Sequence, residues 1–407
     1  MDKEKKIIIL IGDGMADYPI KELGDKTPLE VADTPNMDDL ARNGVFGLTK
    51  TVPEGMSPGS DTANLSIFGY DPSRYFTGRA PLEALNMDIE LGPGDVAFRC
   101  NLVNIANGIM EDFSADHIDT EYTRIVIGEL AKKIATDKLE LYPGVSYRNI
   151  MVWRDYPYNR IAETTPPHDI QGKEAEAFFP KGDGAKELID IIKESQNIIA
   201  GSEIIKKSGT RYKGKPASAW LWGGGKKPAV ESLAKRFGLH GYTISAVDLI
   251  HGIGRAAGLT PLRVEGATGY VDTNYTGKAD ALLEAIKKSN FVFLHVEAPD
   301  ESGHEGNLKH KIKSIEDFDS KVVGRVIYGL KSYPDYCVLV MPDHPTPIVI
   351  RTHSSDDVPF CIYSSKTISG FKKSGKDSCF TENMAKATGN YVGKAHDLIE
   401  IMLNGRK

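Results

Sequence analysis

Long apolar runs are scarce in this chain of 407 residues. The longest, such as Ile7–Ile11 and Phe291–Leu294, fall far short of the roughly 20 residues that a membrane-spanning helix needs. Positive charge is not in excess either: 50 Lys and Arg face 56 Asp and Glu, for a net charge of −6. Without a broad basic field, bulk nucleic-acid binding and adhesion to an anionic membrane surface are not expected, although a local cationic pocket for a small anion is compatible with the composition. Cysteine is rare. Cys100, Cys337, Cys361 and Cys379 are scattered and form no C-x-x-C, so reduced, mostly structural thiols in a cytoplasmic protein are expected. There is no internal repeat and no low-complexity tract. The start, MDKEKKIIIL, puts charges before an apolar stretch as a signal peptide does. That stretch is short, lacks a small-residue cleavage site and runs straight into Gly12-Asp13-Gly14, so it reads as a first buried strand.

What is present is an ordinary globular balance, 41% apolar and 26% charged residues. The length suits one large α/β domain with an insertion, or two domains. Apolar runs ending in Gly, Asp or His occur at 5–14, 217–225, 290–300 and 336–344. They do not alternate, which suits strands buried on both faces. Helical patterns lie between them, at Ala229–Phe237 after Pro228, at Asp280–Lys288 and at Ser314–Leu330. The alternation predicts an α/β fold with a doubly wound, mostly parallel sheet. Between about 112 and 178 the texture changes, with a helix at Thr120–Ile134, a strand-like stretch at 139–153 and a Pro/His loop, TTPPHDIQGK. A further helix is expected at Ala185–Ser195. The expected division is a core of 1–111 and 179–407 with a smaller α/β insert at 112–178.

Polar residues gather where the apolar strands end, the edge where open α/β sheets build their sites. Asp13 follows the first run, Asp300 the third, and Asp343 with His344 the fourth. Asp300 and His304 are four apart, so a helical turn would put them on one face. His353 follows nine residues after His344. Carboxylates with imidazoles suit Mn²⁺, Zn²⁺, Co²⁺ or Mg²⁺, and the inventory suffices for two ions, an arrangement used for phosphoryl transfer. Any one of these residues alone reads equally well as a cap or turn. His251 and His295, inside apolar patterns, read as packed side chains. In PEGMSPGSDTANLSIFGYDP, Ser57 and Ser60 precede a helical run. A serine there is either a simple N-cap or a group held in the positive end of the helix dipole, where phosphoryl groups bind.

Together these motifs resemble the cofactor-independent phosphoglycerate mutases of the archaeal type, in the alkaline phosphatase superfamily. The resemblance rests on I-G-D-G-M, P-G-S-D-T-A-N-L, P-D-E-S-G-H, P-D-H-P-T-P and R-T-H-S-S-D-D-V-P-F, in this order, and covers essentially the full length. It implies an alkaline-phosphatase-like fold and a Ser60 that becomes phosphoserine. It also implies one metal held by Asp300, His304 and His353, and another held by Asp13, Ser60, Asp343 and His344. Two divalent ions follow, Mn²⁺ first among Mg²⁺, Co²⁺ and Zn²⁺, with no 2,3-bisphosphoglycerate. The implied reaction is interconversion of 3- and 2-phosphoglycerate in glycolysis and gluconeogenesis, with the inserted domain closing over the site to exclude water. Binding histidines must be neutral, so metal affinity is expected to fall below about pH 6.

A phosphoglycerate offers a phosphate and a carboxylate to cations. Arg148, His168, Lys226, Lys227, Arg79 and His117 are the candidates, with Gly223–Gly225 as a place where backbone can approach an anion. Each reads as readily as a surface cation or turn. Other activities stay open: a homoserine-kinase-like phosphotransferase of the same family, a phosphatase or phosphopentomutase-like enzyme on the same core, and a binder without catalysis. The chain has neither G-x-x-x-x-G-K-[ST] nor a kinase-type glycine-rich loop, which speaks mildly against a kinase. Self-association is left open.

Overall fold

The structure, a computed structural model, describes residues 5–405. The described residues divide into two compact units, 5–76 with 230–405, and Thr77–Ala229.

The first unit is built on an eight-stranded sheet. Its strands run in the order Tyr391–Val392, Val45–Thr49, Val358–Ser364, Tyr336–Met341, Lys6–Gly12, Phe291–Val296, Gly241–Ile244 and Thr260–Leu262. Lys6–Gly12 lies at the centre, parallel to both Phe291–Val296 and Tyr336–Met341. Val358–Ser364 runs antiparallel to both of its neighbours, so the sheet is mixed and mostly parallel. The three central strands are buried at every position, which explains their unbroken apolar texture. One face packs against helices Pro35–Asn43, Tyr275–Ala285 and Leu308–Leu330, through Met37, Leu40, Leu282, Phe318 and Val326. The last helix is broken in register by a π-turn at Phe318–Val323.

The second unit is a five-stranded antiparallel sheet. Val96–Ala106 pairs with Arg148–Trp153 on one side, and with Ser218–Gly225 and Ile109–Asp112 on the other. Leu139–Val145 pairs with Arg148–Trp153 as a hairpin. Helices Thr120–Ile134 and Ala185–Gly201 cover one face, burying Val126, Ile127, Leu130, Leu188 and Ile192.

Two expectations change here. The run at 217–225 is a strand, but it belongs to the antiparallel sheet of the second unit. Burial on both faces hides strand direction, so a buried antiparallel strand reads like a parallel one. The smaller unit is also wider than 112–178, because Val96–Ala106 and Ser218–Gly225 pair with each other across more than a hundred residues. Of the helices, Thr120–Ile134 has the expected limits, Ala185 begins a longer one ending at Gly201, and the third shortens to Leu233–Phe237 behind a Ser232 cap. Among the described residues no helix is long and apolar enough to cross a membrane. The four cysteines are unpaired thiols, and Cys100, Cys337 and Cys361 are buried.

Candidate active site

Three central strands of the first unit end side by side, and each delivers part of one polar cluster. Asp13 follows Lys6–Gly12 and is fully buried. Asp300 and His304 share a face of helix Ala298–Glu305, with His304 Nε2 3.2 Å from Asp300 Oδ2. Asp343 and His344 follow Tyr336–Met341, both fully buried. His353 comes from the loop after them, its Nε2 2.9 Å from His304 Nε2 and 3.5 Å from Asp300 Oδ1. Ser60 is the first residue of helix Ser60–Ile67. Its Oγ lies 3.2 Å from His344 Nε2 and 3.5 Å from Asp13 Oδ2. Ser57, the other serine of that motif, is exposed.

Local packing leaves the right atoms free. His304 Nδ1 is 3.1 Å from the Arg351 carbonyl, which can only accept, so Nδ1 carries a proton and Nε2 is the nitrogen turned to the cluster. Thr346 Oγ1 donates to Asp300 Oδ1 and lies 3.3 Å from His344 Nδ1. With the hydroxyl proton committed to Asp300, Thr346 accepts from Nδ1–H, and His344 Nε2 keeps a lone pair. Asn64 Nδ2 donates to Asp343 Oδ2 at 2.7 Å and to the Ser60 carbonyl at 2.9 Å, tying the helix to the strand end. Gly14 turns the chain beside Asp13 with φ 63°, and its N–H donates to Asp343 Oδ1. A Cβ there would lie 2.5 Å from Thr346 Oγ1 and 2.8 Å from the Asp300 backbone, so only glycine fits. Asn64, Thr346 and Gly14 were not singled out from sequence. The Asp343 carboxylate that Asn64 and Gly14 share lies 279 and 329 residues away from them, and no local spacing signals that.

The cluster fits divalent cations. Burial, followed by the charges of Asp343, Asp300 and Glu297, pushes the Asp13 carboxyl well above its usual range. Asp13 Oδ1 is buried with no hydrogen-bond partner. Burial opposes ionisation of Asp300, but hydrogen bonds from His304 and His353 outweigh it and hold that carboxyl well below its usual range. Burial also lowers His344. His304 goes the other way: burial opposes its charge, but Asp300 raises it to about 9. Crowded carboxylates, an orphaned carboxylate oxygen and imidazole nitrogens turned to one cluster are what a cation would resolve. Three groups of potential ligands converge: Asp300, His304 and His353; Asp13, Asp300 and His344; Asp13, His295 and Asp343.

The family profile described as 2,3-bisphosphoglycerate-independent phosphoglycerate mutase matches residues 41–204. A probable mutase of that kind from Geobacter sulfurreducens is 48% identical over 98% of this chain and 100% of its own. One from Methanosarcina barkeri is 46% identical over 98% and 100%. The chain belongs to the 2,3-bisphosphoglycerate-independent phosphoglycerate mutases. These are isomerases. Among solved structures, a Pyrococcus horikoshii protein superposes with a TM-score of 0.78 at 30% identity, covering 98% of this chain and 97% of that one. A cofactor-independent phosphoglycerate mutase from Thermoplasma acidophilum gives 0.62 at 25%, covering 98% and 99%.

The six cationic candidates all lie in the second unit. Four of them join one chain of contacts. Arg79 Nε pairs with Glu83 at 2.9 Å, and Glu83 pairs with Arg99 at 3.1 Å. Arg99 stacks over Trp222 at 4.6 Å, and His168 meets the same ring at 5.5 Å. His168 also meets Phe113, which meets Tyr147. Arg148 stacks on Tyr147 at 4.4 Å, with His117 at its edge. Lys226 and Lys227 follow strand Ser218–Gly225 outside this chain of contacts. Gly224 and Gly225 serve packing: a Cβ would come within 2.4 Å of Phe98 and 2.2 Å of the Thr77 carbonyl. Arg99 was missed because it sits mid-strand in an apolar run. Its side chain is buried, its Nη2 has no hydrogen-bond partner, and burial lowers its pKa to about 10 despite the Glu83 charge. Glu83 is held below its usual range because Arg99 and Arg79 outweigh the effect of burial.

Proposed function

We propose that this protein interconverts 3-phosphoglycerate and 2-phosphoglycerate through a phosphoserine at Ser60. The observation that carries the reading is the placement of Ser60 Oγ at a helix N-terminus, within 3.5 Å of both Asp13 and His344, in a chain of this family. Asp300, His304 and His353 would hold one divalent ion, and Asp13, Ser60, Asp343 and His344 the other. Such ions supply charge neutralisation for the phosphoryl oxygens and lower the pKa of the serine hydroxyl.

Ser60 Oγ attacks phosphorus as the bond to the 3-oxygen of the substrate breaks, and the serine proton ends on the freed hydroxyl of glycerate. Glycerate turns, its 2-hydroxyl attacks the phosphoserine, and its proton returns to Ser60 Oγ. Two in-line transfers replace one awkward intramolecular shift. The positive end of the helix dipole at Ser60–Ile67 would favour the phosphoryl group, although the Thr62 N–H is already donated to Asp61 Oδ1. In the second unit, Arg79, Arg99, Arg148, His117 and His168 form a cationic cluster of the kind that recognises a carboxylate or phosphate.

Phosphorus NMR tests this. Metal-stripped protein reloaded with Mn²⁺ and given 3-phosphoglycerate alone should produce 2-phosphoglycerate. Free phosphate as the only product would replace the mutase with a phosphatase. Inertness with Mn²⁺, Co²⁺, Zn²⁺ and Mg²⁺, followed by turnover of ATP with homoserine, would replace it with the kinase.

A further inference from the structure

The second unit holds three consecutive non-glycine residues in the left-handed region: Ala115, Asp116 and His117, with φ 50°, 61° and 47°. Such residues ordinarily occur singly, because Cβ crowds the following carbonyl oxygen, and a run of three persists only where its surroundings enforce it. Asp112 does so here. It ends strand Ile109–Asp112, and its Oδ1 accepts the Ser114 N–H at 2.8 Å and the Ser114 hydroxyl at 2.7 Å, while its Oδ2 accepts the Asp116 N–H. Ser114 Oγ in turn accepts the His117 N–H at 3.1 Å. Ala115 is buried, and its carbonyl accepts the Lys215 N–H at 2.9 Å.

A second segment is fastened to this turn. Ser146, left-handed at φ 52°, turns the hairpin between Leu139–Val145 and Arg148–Trp153. Its hydroxyl donates to the Ile118 carbonyl at 2.8 Å and its N–H to Thr120 Oγ1 at 3.1 Å, while its carbonyl accepts the Thr123 hydroxyl at 2.7 Å. The two segments meet at Tyr147, which is buried. The His117 ring lies edge-on to it at 6.4 Å, and the Arg148 guanidinium stacks on it at 4.4 Å. His117 and Arg148 are themselves exposed. If the turn were loose, the imidazole would swing away from Arg148, and a bound anion would bear the cost of ordering it again.

We propose that Asp112 is a positioning residue for the substrate and acts through His117. Its carboxylate holds the left-handed turn, and the turn keeps the imidazole beside Arg148 as a preformed pair for the carboxylate or phosphate of a phosphoglycerate. The proposal rests on the reading above, in which His117 and Arg148 belong to substrate recognition.

The test is a double-mutant cycle read in KM and kcat for 3-phosphoglycerate, on the Mn²⁺-loaded full chain. His117→Ala should raise KM about tenfold, and Asp112→Ala by a similar factor, with kcat kept. In the His117→Ala background, Asp112→Ala should change KM less than about twofold, since the turn then has nothing to aim. Asp112→Asn keeps one acceptor oxygen and should fall between wild type and Asp112→Ala. A merely structural loss would lower the active fraction, and so kcat, without moving KM. An unchanged KM in Asp112→Ala would overturn the proposal. So would an equal rise on both backgrounds, which would show Asp112 acting without His117. If Asp112→Ala does not fold, the same cycle with Asp112→Asn decides. A wild type inert on 3-phosphoglycerate, or His117→Ala with the wild-type KM, would instead defeat the substrate reading itself, and the proposal with it.

Discussion

At the scale of the residue, the site works by deciding where protons sit. His304 donates its Nδ1–H to a carbonyl and His344 donates its own to Thr346, so Nε2 is the nitrogen that both turn to the cluster. Asp300 nevertheless favours a second proton on His304, whose pKa rises to about 9 although burial opposes it. A divalent ion must displace that proton at any pH below about 9. Apparent metal affinity should therefore fall as pH drops from 9, approaching tenfold per unit for one proton. The raised Asp13 carboxyl adds in the same direction. Competition with a fluorescent chelator from pH 6.5 to 9.5 checks this, and a flat profile would contradict it. The window lies higher than the free-histidine value near 6 suggests, because that value leaves out the Asp300 charge. Asp13, Asp300, Asp343 and His344 were legible because strand ends announce themselves as Asp or His after an apolar run, while Ser60, His304 and His353 came from spacing and from the motifs that carry the family resemblance. Asn64, Thr346 and Arg99 were not, since each gains its role from partners that only the fold brings near.

At the scale of the element, the strand ends need a rigid backing. Lys311, on helix Leu308–Asp317, is fully buried and spends its three protons on Asp17 Oδ2 at 2.7 Å, the Thr346 carbonyl at 2.8 Å and the Ala16 carbonyl at 3.4 Å. Asp17 in turn accepts from Ile348 N–H. One ammonium group thus fastens the loop after Asp13 to the loop after His344. Removing it leaves a buried carboxylate unpaired, which costs about 3 kcal/mol or more. Lys311→Met should lose that much stability in urea denaturation of the metal-free protein, and an unchanged midpoint would show that the pair does not hold the loops. Lysine in an amphipathic helix reads from sequence as solvated surface, so this fastening was invisible there. Helix Thr120–Ile134 was legible to the residue because its pattern is local.

At the scale of the whole molecule, the division into units was only half legible. The change of texture near 112 is real, but the unit's central strand, Val96–Ala106, lies before it, and an edge strand, Ser218–Gly225, lies well after 178. Pairing across such distances is a property of the sheet and leaves no mark on either segment alone. The chemistry divides along the same line, with the metal-ligating and nucleophilic cluster in one unit and the arginine–aromatic cluster in the other. The proposed reaction stands or falls on Ser60. The most direct measurement is rapid acid quench of the Mn²⁺-loaded enzyme during turnover of 3-phosphoglycerate, with phosphopeptide mass spectrometry, beside the same assay on Ser60→Ala. The account expects phosphate on Ser60 in the wild type, and in Ser60→Ala a turnover reduced by about 10⁴-fold or more with metal binding kept. Phosphate on another residue, or near-normal turnover in Ser60→Ala, would contradict it.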